Sequence, residues 1–299
     1  MRVMQCARME RAKKATWFLL LALVAGIISA CGSGSPSSEP EEPGTAGGPP
    51  SPTSSLASPV AVVLEIQGVL RRAIVYPNSV PSPQRGAPLV LVFHGHGGTA
   101  GSASTAYPFH QLWPEAVVAY LEGIPGVMGI TDPEGAKNGW QKNPGELNDR
   151  DVEFLDAMLG ELRHEYRIDP DRIYAFGHSN GARFVNVLWN VRGETFAALA
   201  SSSAQGGQLI LGNVARSLFM LIGEKDPLVS AASQKLSIPL AQAALQTDPG
   251  GARVEGSLRT EPGIMGTELV TYIHSGGHPL PKEAMPLIVS FFQRHTRPP

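Results

Sequence analysis

Cysteine is nearly absent from this chain of 299 residues. Only Cys6 and Cys31 occur, and both lie in the first thirty-one positions. A body beginning after them has no thiol. That excludes a disulfide framework, a cysteine-ligated metal and a cysteine nucleophile. An excess of one charge is also missing, with 24 Lys and Arg against 26 Asp and Glu. Five of those cations stand among the first thirty residues beside a single Glu, so the rest is mildly acidic. Such a body has no attraction for nucleic acid or another polyanion. Long apolar runs are scarce too. The one at the N-terminus, residues 16–28, is shorter than the roughly 20 residues needed to cross a bilayer.

What is present at the N-terminus reads as an export signal. Arg2, Arg8, Arg11, Lys13 and Lys14 precede the apolar run, which ends in Ile28-Ser29-Ala30-Cys31. That tetrapeptide resembles a bacterial lipobox, in which the cysteine is lipidated and becomes the first residue. The expectation is a signal over 1–30, a lipid anchor at Cys31, and a protein held at a membrane after export. Residues 32–58 are almost entirely Gly, Ser, Pro, Glu, Thr and Ala. They cannot bury enough apolar surface to offset chain entropy, so 31–59 is expected to be a flexible tether and 60–299 the folded domain.

Within 60–299, apolar runs alternate with helical patterns. Strands are expected at 61–66 and 70–76, paired as an antiparallel edge, then at 89–93, 116–120, 172–176, 197–201, 217–222 and 268–274. Helices are expected from about 151, capped by Asp149 or Asp151, after residue 180, over 231–246 and over 284–295. Residues 121–147 form a long irregular insertion. The alternation implies an α/β fold, a mostly parallel sheet with helices on both faces.

The centre of the pattern is Gly177-His178-Ser179-Asn180-Gly181. It follows an apolar strand and precedes a helix with Phe184, Val187, Leu188 and Val191 on one stripe. Gly-x-Ser-x-Gly in that setting is a nucleophile elbow. The serine is held in a strained conformation, and residues two before and two after it are expected to crowd its Cβ, so glycine is required at both. The helix start aims N–H groups at developing negative charge. In chain order an acid and a base should follow. Asp226, past the strand 217–222, is the candidate acid, with Glu224 as a rival nearer the strand end. His278, in Ser275-Gly-Gly-His-Pro279, is the candidate base; His274 closes the strand before it. His278 would take the Ser179 proton and Asp226 would fix its tautomer. The loop His94-Gly-His-Gly-Gly98 follows the 89–93 strand. Backbone N–H groups of His96 and Asn180 are the expected oxyanion donors. His-x-His is also a metal-ligand spacing, but the three glycines argue for close backbone approach. No metal and no cofactor are expected.

Together these pieces resemble the polyhydroxybutyrate depolymerase and feruloyl esterase family, within the carbohydrate esterase family-one type of α/β-hydrolase. The carriers are 89–98, Trp140, Asp151-Val152 with Phe154, 168–181, 223–229 and Gly276-Gly-His278. Ala182, Glu153 and His96 depart from residues common in that family. The resemblance implies the α/β-hydrolase fold and a serine esterase acting on a small or polymeric ester with an aryl or hydroxyacyl acid part. Trp140 is then either a ring that stacks on substrate or a local packing residue, and 121–147 would wall the acyl pocket. A serine peptidase on the same fold and a non-catalytic surface lipoprotein are the competing readings.

Overall fold

The run Leu89-Val-Leu-Val-Phe93 lies inside a ten-stranded sheet, with every residue buried. The computed structural model of the protein describes residues 57–82, 84–127, 132–211 and 214–298, all within the unit Pro52–Pro299. The expected signal, Cys31 and nearly all of the tether lie outside the described residues. Among the described residues no helix is long and apolar enough to cross a membrane.

Strands β1 (Val60–Ile66) and β2 (Val69–Tyr76) form the expected hairpin, turning through Gln67 and Gly68 at φ 51° and 78°. Then come β3 (Ala87–Phe93), the short helices α1 (Ala100–Ala106) and α2 (Phe109–Leu112), and β4 (Val117–Leu121). Two-residue strands β5 (Ile124–Pro125) and β6 (Asn138–Gly139) pair within the long insertion. Next are α3 (Arg150–Glu165), β7 (Ile168–His178), α4 (Asn180–Arg192), β8 (Ala198–Ser202) and β9 (Ser217–Gly223). The chain continues with α5 (Ala231–Lys235), α6 (Ser237–Leu245), β10 (Arg253–Glu255), β11 (Leu258–Pro262), β12 (Glu268–His274) and α7 (Ala284–Gln293).

The sheet order is β1-β2-β4-β3-β7-β8-β9-β12-β11-β10. Its middle, from β4 to β12, is parallel, and antiparallel strands flank it on both sides. Alternation along β3 sends its side chains to two cores. Leu89, Leu91 and Phe93 pack with Phe154 and Met158 of α3 and with Phe184 and Leu188 of α4. Val90 and Val92 pack with Phe109 of α2 and with Ile288 and Phe292 of α7. Each such buried side chain contributes about 1.5–3 kcal/mol relative to exposure. The parallel strands therefore share one direction, and all their carboxyl ends open onto one edge.

Two local expectations are corrected, and one sheet edge is added. Neither Asp149 nor Asp151 caps α3: Asp149 is the preceding residue at φ 54° without a capping bond, and the Asp151 side chain turns into the core. The single helix expected over 231–246 is two helices meeting at Leu236. Pro239 has no N–H, and its ring would collide with the carbonyl of residue 235 in a continuous helix. A second antiparallel edge, β10 with β11, follows α6.

Candidate active site

Strand β7 ends at His178, and Ser179 stands between it and α4 at φ 54°, ψ −120°. Ser179 N–H still donates to Ser202 O (2.8 Å), and Ser179 O accepts from Arg183 N–H (3.0 Å), the first turn of α4. The glycine requirement is real, but the contacts are not at the serine Cβ. A Cβ on Gly177 would lie 2.3 Å from Gly181 O, and one on Gly181 would lie 2.2 Å from Phe93 O. Real Cβ atoms do not come so close, so the elbow and the end of β3 can approach only as bare backbone.

The loops after β9 and β12 are laced together at the same edge. Glu224 N–H donates to His274 O and Lys225 N–H to Gly276 O, each at 2.9 Å. A Cβ on Gly223 would meet Gly277 O at 2.1 Å. This lacing brings Asp226 and His278 into contact. His278 Nδ1–H donates to Asp226 Oδ2 at 2.7 Å, which leaves Nε2 of the neutral ring as an acceptor. Gln234 Nε2 also donates to Oδ2 (2.9 Å), and the amides of Leu228 and Val229 donate to Oδ1 (2.8 and 2.9 Å). Burial alone would push the Asp226 carboxyl up. The Val229 amide, the His278 ring and the Leu228 amide outweigh it, and the carboxyl lies below its usual range. Glu224 is exposed. His274 is buried and turns Nδ1 to the Gly276 N–H (3.2 Å).

Residues without a sequence signal hold the candidate base, His278. Ser203, at φ 57°, donates Oγ–H to His278 O (2.9 Å) and its own N–H to Leu221 O (2.9 Å). His178 packs its ring 4.8 Å from that of His278, with Nδ1 3.3 Å from Ser202 Oγ. Burial first, and the neighbouring His278 second, push the His178 imidazole down to about 3, so it is neutral beside His278. The His178–His278 contact puts the elbow and the base loop side by side. Ser179 Oγ meets no hydrogen-bond partner among the described residues.

The loop after β3 lies against the elbow. A Cβ on Gly95 would stand 3.4 Å from the Ser179 Cβ. His94 is fixed by backbone on both ring nitrogens: Nδ1–H donates to Gly95 O (2.7 Å), and Nε2 accepts from Gly123 N–H (2.9 Å). Gly97 turns the loop at φ 75° and donates to Asn138 O (2.7 Å). The His96 ring faces Asp132, Nε2 to Oδ2 at 3.3 Å. Backbone N–H groups of His96 and Asn180 meet no acceptor among the described residues. Among the described residues no three His, Cys, Asp or Glu side chains are grouped to hold a metal ion.

Trp140 is a packing residue and not a surface for a substrate ring. It is wholly buried, stacked on Phe184 (5.4 Å, 12°) and edge-on to Phe93 (5.2 Å). Its indole N–H donates to His94 O (3.0 Å). No ring face is left for a ligand.

The chain resembles known proteins over part of its length. No protein-family model matches it. It is 33% identical over 132 residues to the protein named "Putative esterase NocK" of Nocardia uniformis subsp. tsuyamanensis, covering 42% of this chain and 35% of that one. It is 28% identical over 135 residues to Feruloyl esterase B of Piromyces equi, covering 44% of this chain and 24% of that one. The matched segment thus spans about a third or less of each relative. Acetyl xylan esterase from Aspergillus awamori superposes with a TM-score of 0.59 at 13% identity, over 79% of this chain and 100% of that one. By its chain trace the protein has the α/β-hydrolase fold, and in sequence it is similar to esterases, a feruloyl esterase among them.

Proposed function

We propose that the protein is a serine esterase that cleaves carboxylic esters through an acyl-enzyme. The observation that carries this reading is the Asp226–His278 pair at 2.7 Å, whose ring packs 4.8 Å from that of His178, the residue before a serine held at positive φ. His278 Nε2 takes the Ser179 proton as Oγ attacks the ester carbonyl carbon. The carbonyl electron pair moves onto oxygen, where the N–H groups of His96 and Asn180 receive it. Collapse expels the alcohol, which leaves with the proton held by His278. Water repeats the cycle to release the acid. Hydrogen bonds to the nucleophile often tighten only with substrate bound, and the serine–imidazole contact is assigned to that stage. The feruloyl and acetyl xylan esterases similar to this chain favour an aryl or short acyl acid part.

The purified protein is tested on p-nitrophenyl acetate, methyl ferulate, hydroxybutyrate oligomers and a peptide amide, and is labelled with a fluorophosphonate. The expected result is ester cleavage without amide cleavage, and one adduct, on Ser179. Amide cleavage at a comparable rate would make it a peptidase. Absence of both adduct and turnover would make it a non-catalytic protein of the same fold.

We also propose that the catalytic body, 60–299, is exported and tethered to a membrane by lipid on Cys31. Support comes from the basic start, the short apolar run and the Ile28–Cys31 tetrapeptide. Cys31→Ser is expected to release the protein from membranes on fractionation. Retention of the variant would assign anchoring to the apolar run itself.

A further inference from the structure

The segment 138–141 touches both halves of the proposed oxyanion site. On one side, Asn138 O accepts the Gly97 N–H (2.7 Å), and Trp140 Nε1 donates to His94 O (3.0 Å). These bonds flank His96 in the loop. On the other side, the Asn180 side chain clamps the Trp140 backbone twice. Its Oδ1 accepts Trp140 N–H (2.7 Å) and its Nδ2 donates to Trp140 O (2.9 Å). One short segment therefore registers the loop and the elbow against each other.

That segment is fixed in turn from behind. Asp151 Oδ2 accepts the Gln141 N–H (2.8 Å), and Gln141 Oε1 accepts the Asp151 N–H (3.3 Å). Asp151 Oδ1 accepts from Arg71 on β2 (2.8 Å), with both side chains at 0% exposure. Arg71 also donates to Arg150 O (3.2 Å) and Glu122 O (3.3 Å), while its Nε is buried without a partner. Its guanidinium lies over the Phe154 ring at 4.3 Å. A buried ion pair is a poor source of stability, because apolar side chains of similar volume often do as well or better. This one even leaves a donor unmet, so stability is a weak reason for its presence. The Asp151 side chain does not cap α3, on whose first turn it sits.

We propose that Asp151, held by Arg71, is a positioning residue for the oxyanion site. It fixes Gln141 and thereby Trp140, and so sets the His96 and Asn180 N–H groups together at the spacing that one oxyanion requires. This rests on the esterase reading above. Two donors act fully only when both lie at hydrogen-bond distance from one oxygen. A shift in the 138–141 segment misplaces one against the other and leaves the Asp226–His278 pair untouched.

The test uses Asp151→Asn and the double variant Arg71→Met/Asp151→Leu, with wild type alongside. In Asp151→Asn one oxygen must serve two donors, and the amide NH2 opposes either Arg71 or the Gln141 N–H. The double variant removes both charges and keeps an apolar fill. Both are expected to lose kcat on p-nitrophenyl acetate by roughly 10- to 100-fold, less than the ~10²–10³ for deleting a donor outright. KM should stay within about twofold. The decisive readout is inhibition by an aryl trifluoromethyl ketone, whose hemiketal oxyanion needs both N–H groups. Its Ki should rise in step with the loss of kcat. A folded variant, judged by its melting curve, with kcat and Ki near wild type overturns the proposal. So does failure of both variants to fold, because the pair would then serve the fold alone. A wild type that neither turns over the ester nor binds the ketone fails earlier, at the esterase reading itself.

Discussion

Ser179→Ala is expected to lower kcat on p-nitrophenyl acetate by on the order of 10⁵–10⁶, with the fold intact. Ser179 supplies the protein atom that forms a covalent bond with the acyl group in the proposed cycle. Its removal leaves N–H donors and a base with no nucleophile to activate. What survives is the residual acceleration, roughly 10³–10⁴ over water, that an oxyanion site and binding provide alone. Stability should change little. Alanine occupies φ 54° at the same steric disadvantage as serine, and the Ser179 side chain has no hydrogen bond among the described residues to lose. The residues of such a unit act together, so His278→Ala should cost about as much, and the double variant Ser179→Ala/His278→Ala little more than either. Kinetics with matched melting curves check both points. A Ser179→Ala rate within tenfold of wild type would end the serine mechanism, and additive losses would mean that the two residues serve separate steps.

What the sequence made legible is what backbone sterics and hydrophobic burial dictate. Continuous apolar runs such as 89–93 and 217–222 belong to strands covered on both faces, and both are buried throughout. Gly177 and Gly181 stand out because only a residue without Cβ can occupy those positions. Other features depend on partners distant in the chain. Gln234 and Ser203 are ordinary polar residues until folding places them on Asp226 and on the His278 backbone. Trp140 in an irregular stretch leaves stacking on substrate and local packing equally open, and the Asn180 side chain and Phe184 decide for the core. Asp151 has the spacing of a helix cap, but the buried cation of Arg71 draws it inward. The β10–β11 edge has a weak sequence signal because its strands are short and half polar, with Arg253, Glu255, Arg259 and Glu261 among eight residues. Pro239 is a local signal of a different kind, since a proline within 231–246 disfavours one continuous helix there.

Asp226→Asn carries the second large effect, a fall in kcat of on the order of 10⁴ with KM little changed. The geometry around the carboxylate supplies the reason. Its two oxygens accept four donors: the Leu228 and Val229 amides on Oδ1, and His278 Nδ1–H with Gln234 Nε2–H on Oδ2. An asparagine has one oxygen and one NH2 group. With its oxygen kept on Oδ2, its NH2 is set against two backbone N–H groups, and the loop 226–229 must move. With its oxygen kept on the amides, the NH2 faces His278 and Gln234. The ring must then accept at Nδ1 and carry its proton on Nε2, so the lone pair needed by Ser179 is gone. Either arrangement also removes the negative charge that stabilises the imidazolium during proton transfer. Glu224→Gln is the matching control, since Glu224 is exposed and the lacing at this position uses only its backbone N–H; its rate should stay within about twofold of wild type. Steady-state kinetics and melting curves on both variants decide the assignment. A fully active Asp226→Asn beside an inactive Glu224→Gln would move the acid two residues toward β9 and require a different loop conformation.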